Sequence, residues 1–496
     1  MSEDPTATER QQQDIQALAK GGRTNFLGFL LRLAARLPFL FIAGRLYGAE
    51  SLGRFALALV VVELSAQLCT LGQKRGLAMR LSQEREHPAN AVADAMLLGG
   101  SLAALVSVVI YLFPDVMFNG AYTQAERLVV LSIVPLTLTE IALAAQAYRF
   151  DIATSVRARA LVEPWTLSIM SGLLFFVYRQ AGLLIAYNLS VIAASVTALW
   201  PMVRTYGLPH QWKPRPLQIG QLAIANLPLA AADAIEWGTR RFDIYILGFF
   251  AGDKAVGVYY VAQQIASLPQ KLKTSFEPIL GPVITRNLKE NNYAAIASQV
   301  CQVGFWITAA QAGVALALGI PGEGVMGLVG PLFVGGTGAL CFLLAAEVSA
   351  ATAVVSEAVL IYVARLQNLW VSLATLALQA AATIGLIKLV EAFGLNDNFK
   401  AAMAGAGLMV ALAMASWVKS RLLARILQQS VNNWRWPLVW AAAPAVVIGW
   451  LATEFLPEWA ELGFGIPAIL LAYGWVIWHK GFGPEDRVLF RRNVGA

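Results

Sequence analysis

Only 14% of the 496 residues are charged, three are cysteine, three are histidine, and no long polar loop separates one apolar run from the next. Each shortage excludes something. Soluble domains carry ~25% charged residues, so length here counts membrane crossings and not soluble domains. Cys69, Cys301 and Cys341 all fall inside apolar stretches, which argues against a disulfide framework or a zinc site and for small buried hydrophobes. His87, His210 and His479 fall in short loops, and no DxD, P-loop, HExxH or GxSxG pattern is present. The sequence therefore nominates no catalytic residue, no metal ligand and no bound cofactor. A secretory signal is lacking as well. Residues 1–22 are polar and carry Glu3, Asp4, Glu9 and Asp14, where a signal would show a basic start and a small-residue cleavage site. The first apolar run is expected to act as an uncleaved anchor.

What is present is hydrocarbon. Hydrophobic residues make up 58% of the chain and mean hydropathy is +0.61. About fourteen apolar stretches approach the ~20 residues needed to cross the bilayer core. Read between Pro, Gly and charge clusters, they lie near 24–46, 52–72, 91–113, 127–147, 161–178, 182–203, 217–249, 255–284, 295–320, 333–363, 369–390, 401–418, 437–455 and 463–478. The expected class is an all-α polytopic membrane protein.

Net charge is +7 and the pI is near 9.3, yet the basic residues do not suggest nucleic acid. They sit in short loops after every second span. With the N-terminus inside, 24 of the 37 Lys and Arg fall on cytoplasmic segments and seven on the opposite loops. That is the positive-inside pattern, and it favours an even span count with both termini cytoplasmic.

A short motif repeats at an offset of 204 residues. SLGRFALA (Ser51 to Ala58) matches AVGVYYVA (Ala255 to Ala262), with Gly53 opposite Gly257, Phe55 opposite Tyr259, and an acidic residue, Glu50 or Asp253, just before each copy. Both copies open the second helix of a six-span block and run the same way, as parallel repeats related by an axis along the membrane normal require. The expected organisation is a cytoplasmic segment 1–23, a first lobe 24–210, a second lobe 211–430, two appended helices 431–479 and a tail 480–496.

Two windows, GRLYGAESLGRFALALV and RRFDIYILGFFAGDKAVGVYYVAQQIASLPQ, resemble the polysaccharide transporter (Wzx-like) branch of the multidrug/oligosaccharidyl-lipid/polysaccharide (MOP) flippase superfamily. The second window carries Asp243, Leu247, Gly248, Val256, Gly257 and Tyr259, similar to the branch's pattern of an aspartate, an LG-like step, a short turn and a VGxY helix start. The resemblance implies a two-lobed alternating-access flippase in a bacterial or archaeal plasma membrane. It also implies a substrate: an isoprenoid-pyrophosphate-linked oligosaccharide, moved from the cytoplasmic to the outer leaflet.

Charges inside the spans are the candidate site, because each costs at least ~2.5 kcal/mol at a bilayer centre unless compensated. Arg32 and Arg36 share a helix face one turn apart and suit a pyrophosphate, whose oxygens match guanidinium forks; the competing reading is snorkelling or pairing with Glu63 or Asp94. Asp233, Glu236 and Arg240 also share a face, with Arg241 beside them, either as an outward anion site or as a self-neutralised ladder. Lys271 and Lys273 flank the middle of the eighth span, and a spacing of two lets only one face a cavity directly. The carboxylates Glu63, Asp94, Glu140, Asp233, Glu236 and Glu347 are candidates for coupling to H+ or Na+ and equally for charge pairing.

The expected function is transport without catalysis, with membrane lipids and polysaccharide polymerase or export machinery as partners. A cation-coupled multidrug exporter of the same superfamily is the nearest alternative, and a membrane glycan polymerase or ligase the enzymatic one.

Overall fold

The computed structural model describes residues 37–83, 87–118, 120–149, 151–214, 216–272, 284, 286–483 and 486–487. Among them there is no strand, and the fold is all-helical. Eleven helices are long and apolar enough to cross a membrane by length and composition. These match the second to sixth and the ninth to fourteenth expected spans. The seventh and eighth are also helices, Pro216–Phe250 and Asp253–Leu272, too polar to join that set. The first expected span lies outside the described residues as far as residue 36. The chain divides into two compact units between Tyr260 and Val261.

The first unit contains α1 (Gly48–Cys69), α2 (Gln73–Ser82), α3 (Pro88–Leu112), α4 (Ile133–Tyr148), α5 (Glu163–Val177), α6 (Gly182–Tyr206), α7 (Pro216–Phe250) and the start of α8 (Asp253–Leu272). A π-helical turn, Ala43–Tyr47, leads into α1 through Gly48, whose φ of 81° and ψ of 179° break the helical path. Only glycine adopts that region readily. The break falls in the gap expected between the first and second spans.

Helices in this unit are stapled by side chains reaching across to a neighbour's carbonyl. Tyr47 OH donates to Ser171 O (2.7 Å), Gln146 Nε2 to Ala198 O (2.8 Å) and Tyr206 OH to Ala145 O (2.6 Å). Such bonds suit a medium in which apolar burial gives helices no reason to associate. Gly72 and Gly76 let α7 settle closely on the α1–α2 turn. A Cβ on Gly72 would stand 2.6 Å from Leu229 Cβ, and one on Gly76 the same distance from Asn226 Oδ1.

The second unit holds α9 (Tyr293–Gly319), α10 (Gly322–Val329), α11 (Thr337–Val363), α12 (Arg365–Ala392), α13 (Asp397–Leu427), α14 (Pro437–Phe455) and α15 (Ile466–Val476). Its core gathers Ile296, Val300, Phe305, Leu360, Leu423, Leu438 and Tyr473 from α9, α11, α13, α14 and α15. Residues buried on α12 are largely polar, Asn368, Thr375, Gln379 and Thr383, while Leu366, Trp370 and Leu389 are exposed. An apolar outside and a polar inside is the pattern of a helix solvated by lipid.

Candidate functional site

The first unit buries a compact cluster of charge. Glu140, midway along α4, accepts from Lys74 Nζ at 2.8 Å and from Arg159 Nη2. Arg159 also donates to Glu163 Oε2 at 2.6 Å, one turn along the same helical run, and Lys74 reaches Gln67 Oε1 at 2.9 Å. Arg159 lies within a π-helical stretch, Val156–Val162, that leads into α5. Tyr187 of α6 is buried within electrostatic reach of Glu63, Glu163 and Arg159, and its neighbour Phe55 stacks edge-on to both Tyr187 (5.9 Å) and Tyr260 (6.1 Å). Two cations and two carboxylates thus hold one another among aromatic rings. A medium of low dielectric strengthens both their attraction and the cost of separating them.

Lys74 and Arg159 were not expected here. In sequence they belong to QKRGLAMRLSQER and VRARA, which read as loop charge. The available signal was the spacing of Arg159 and Glu163, four apart at the mouth of an apolar run, which marks a pair on one helix face.

Asp94 accepts from Arg80 (2.7 Å) and from Trp212 Nε1 (2.8 Å), tying α3 to α2 and to the segment before α7. On α7, Asp233 is buried, Glu236 is exposed, and Arg240 and Arg241 are half-buried; each of the four has an interaction partner. Glu63 is half-buried on α1, and Glu347 is buried on α11 in the second unit. Arg32, Arg36 and Lys273 lie outside the described residues, and so does the side chain of Lys271.

Asp243 is fully buried, accepts from Tyr259 OH, and so joins α7 to α8. Leu247 and Val256 are buried on the same two helices. The motif residues therefore build the hairpin between α7 and α8.

Residues 19–288, more than half the chain, match the family described as polysaccharide biosynthesis protein. The chain belongs to that family. It is accordingly a multi-pass membrane protein of the MOP superfamily and of the flippase and transporter class. Among solved structures it is similar to the lipid II flippase MurJ in an inward closed conformation, at 12% identity and a TM-score of 0.68, covering 92% of this chain and 98% of that one. It is also similar to an inward-facing multidrug resistance MATE transporter, at 14% identity and a TM-score of 0.65, covering 81% and 99%. A Vibrio cholerae MATE transporter gives 15% identity and a TM-score of 0.53, covering 86% and 98%. At such identities these likenesses concern the fold alone. No curated protein sequence matches the chain.

Proposed function

We propose that this protein translocates an isoprenoid-pyrophosphate-linked oligosaccharide from the cytoplasmic to the outer leaflet of a bacterial inner membrane, by alternating access and without catalysis. The observation that carries the reading is the buried cationic pair, Lys74 and Arg159, held on Glu140 in a chain of a polysaccharide biosynthesis family. A sugar and a pyrophosphate cannot enter hydrocarbon unaided, whereas an isoprenoid tail stays in lipid. The protein must therefore supply positive charge at depth for the headgroup alone.

In this reading Arg32, Arg36 and one of Lys271 or Lys273 receive the headgroup, and Arg240 and Arg241 take it onward. Residues 24–210 and 211–430 form the lobes that rock, with 431–479 appended. Both termini are cytoplasmic, H+ or Na+ drives the cycle through one of the intramembrane carboxylates, and a polymerase or export complex takes the product.

A multidrug exporter remains the second reading because MATE transporters share the fold. Cationic drugs would favour a site of carboxylates in excess of cations, whereas Glu140 and Glu163 are matched one for one by Lys74 and Arg159. Reconstituted vesicles loaded separately with a fluorescent lipid-linked sugar and a cationic dye discriminate the two. Transport of the sugar is expected. Arg32→Ala and Arg240→Ala proteins that insert normally and still move it at the parental rate would remove the roles assigned to those arginines.

A further inference from the structure

The two glycines that the internal repeat aligns touch each other in space. A Cβ on Gly53 of α1 would stand 2.9 Å from Gly257 N, and a Cβ on Gly257 of α8 would stand 2.8 Å from Gly53 N. Each would also overlap a carbonyl oxygen four residues earlier on the opposite helix, Asp253 O for Gly53 and Ala49 O for Gly257. The contact is reciprocal, residue for residue, as a local two-fold relation between the repeat copies demands. Backbone meets backbone here, with Cα hydrogens against carbonyl oxygens, and no side chain fits at either position.

Fastenings surround this crossing within one helical turn. Arg54, next to Gly53, lies 3.9 Å from Asp253 Oδ2 and 3.3 Å from Glu126 Oε1. Phe55, the next residue again, meets Tyr260. A half-open cavity of about 320 Å³ adjoins it, lined by Ser51, Arg54, Tyr122, Thr123 and Glu126 among others.

A contact with these properties is close yet simple to part. No interlocking side chains have to be withdrawn, partly exposed ion pairs cost little to exchange for water, and weak Cα–H bonds are given up a few at a time. Larger residues would interdigitate and hold. We propose that the Gly53–Gly257 crossing is the releasable gate at this end of α1 and α8, clipped by Arg54 and Asp253, and that it opens when the protein discharges its cargo. The proposal rests on the alternating-access reading for its purpose and on the geometry alone for its movement.

Glu50 and Lys254 are exposed and flank the crossing. Nitroxides at Glu50→Cys and Lys254→Cys, in a full-length chain with Cys69, Cys301 and Cys341 changed to serine, report closure as dipolar broadening. The parent should be mainly broadened. Gly53→Ala and Gly257→Ala should each make the broadened form a minority, since one methyl group forbids the closed crossing. Arg54→Gln adds no atom to the crossing and should lower the broadened share by a smaller step, which covers the case in which a glycine variant fails to fold. Parental broadening in folded Gly53→Ala, Gly257→Ala and Arg54→Gln proteins would overturn the gate. The spectra do not depend on the cargo, so a chain that loses broadening as expected but moves no lipid-linked sugar upholds the gate and refutes the transport reading.

Discussion

Lys419 Nζ lies 3.0 Å from Glu357 Oε2 in the interior of the second unit, joining α13 to α11, and donates to Ser372 Oγ on α12 at 3.1 Å. Asn368 completes the group by donating to Glu357 at 3.3 Å. The Lys419 side chain is only 6% exposed and Glu357 is 38% exposed, so the ammonium has more to lose. Glu357→Leu is expected to destabilise the protein by about 2–3 kcal/mol by stranding that charge, and Glu357→Leu with Lys419→Met to recover most of it. Thermal unfolding in detergent across the double-mutant cycle checks this. Equal melting of the single and double variants would show that the pair is not coupled.

Glu140 is the acceptor common to Lys74 and Arg159. Glu140→Gln keeps the shape but removes the charge, and should lower stability by about 2 kcal/mol, the scale of lost hydrogen bonds to charged groups. Arg159→Lys should fall part of the way, since an ammonium cannot span Glu140 and Glu163 as a guanidinium fork does. Denaturation monitored by circular dichroism measures both, and a parental midpoint in Glu140→Gln would contradict the coupling.

Two glycines should fail for different reasons when changed to alanine. Gly48 has nothing within reach of an added Cβ, and its cost is conformational, about 1–2 kcal/mol for its positive φ. Gly407 has an ordinary helical backbone, but a Cβ there would stand 2.8 Å from Thr383 Cα and N, forcing α12 from α13. Thr383→Ala should not rescue Gly407→Ala, because the obstruction is backbone. Rescue, measured by melting temperature, would place the clash on the hydroxyl alone.

Asp486 is buried and gathers Trp306 Nε1 (2.9 Å), Gln302 Nε2 (3.2 Å), Arg435 Nη1 (2.6 Å) and Gly483 N (3.0 Å). Arg435 lies over the Phe305 ring at 4.0 Å and also donates to Gly481 O. One carboxylate thus fastens the turn after α15 to α9 and to the strap before α14. Asp486→Ala should raise limited proteolysis after residue 481 severalfold and cost about 2 kcal/mol or more. Unchanged proteolysis would mean that apolar contacts alone hold the segment.

Helix positions were readable in advance because a span must be both long and apolar, and Pro and Gly mark its ends. The expected 437–455 coincides with α14, and 182–203 with most of α6. Charge position was harder to read. Lys74, Arg159 and Lys419 sit at the margins of apolar runs, where a count of basic residues per loop cannot tell a solvated side chain from one folded back between helices. α13 continues to Leu427, nine residues past its expected end, and carries Lys419 inward with it. The repeat showed that Gly53 and Gly257 are equivalent, but equivalence along a chain does not imply touching. That needed coordinates.

Val156–Val162 is wound with a wider turn than an α-helix, and Arg159 stands at its middle. A surplus residue of this kind can be handed along a helix, each bond reforming one step further on, and every passage swings the side chains it crosses by about 100°. The guanidinium that now faces Glu140 therefore has a ratchet beneath it: α5 can re-aim its cation without unwinding, tilting or lengthening.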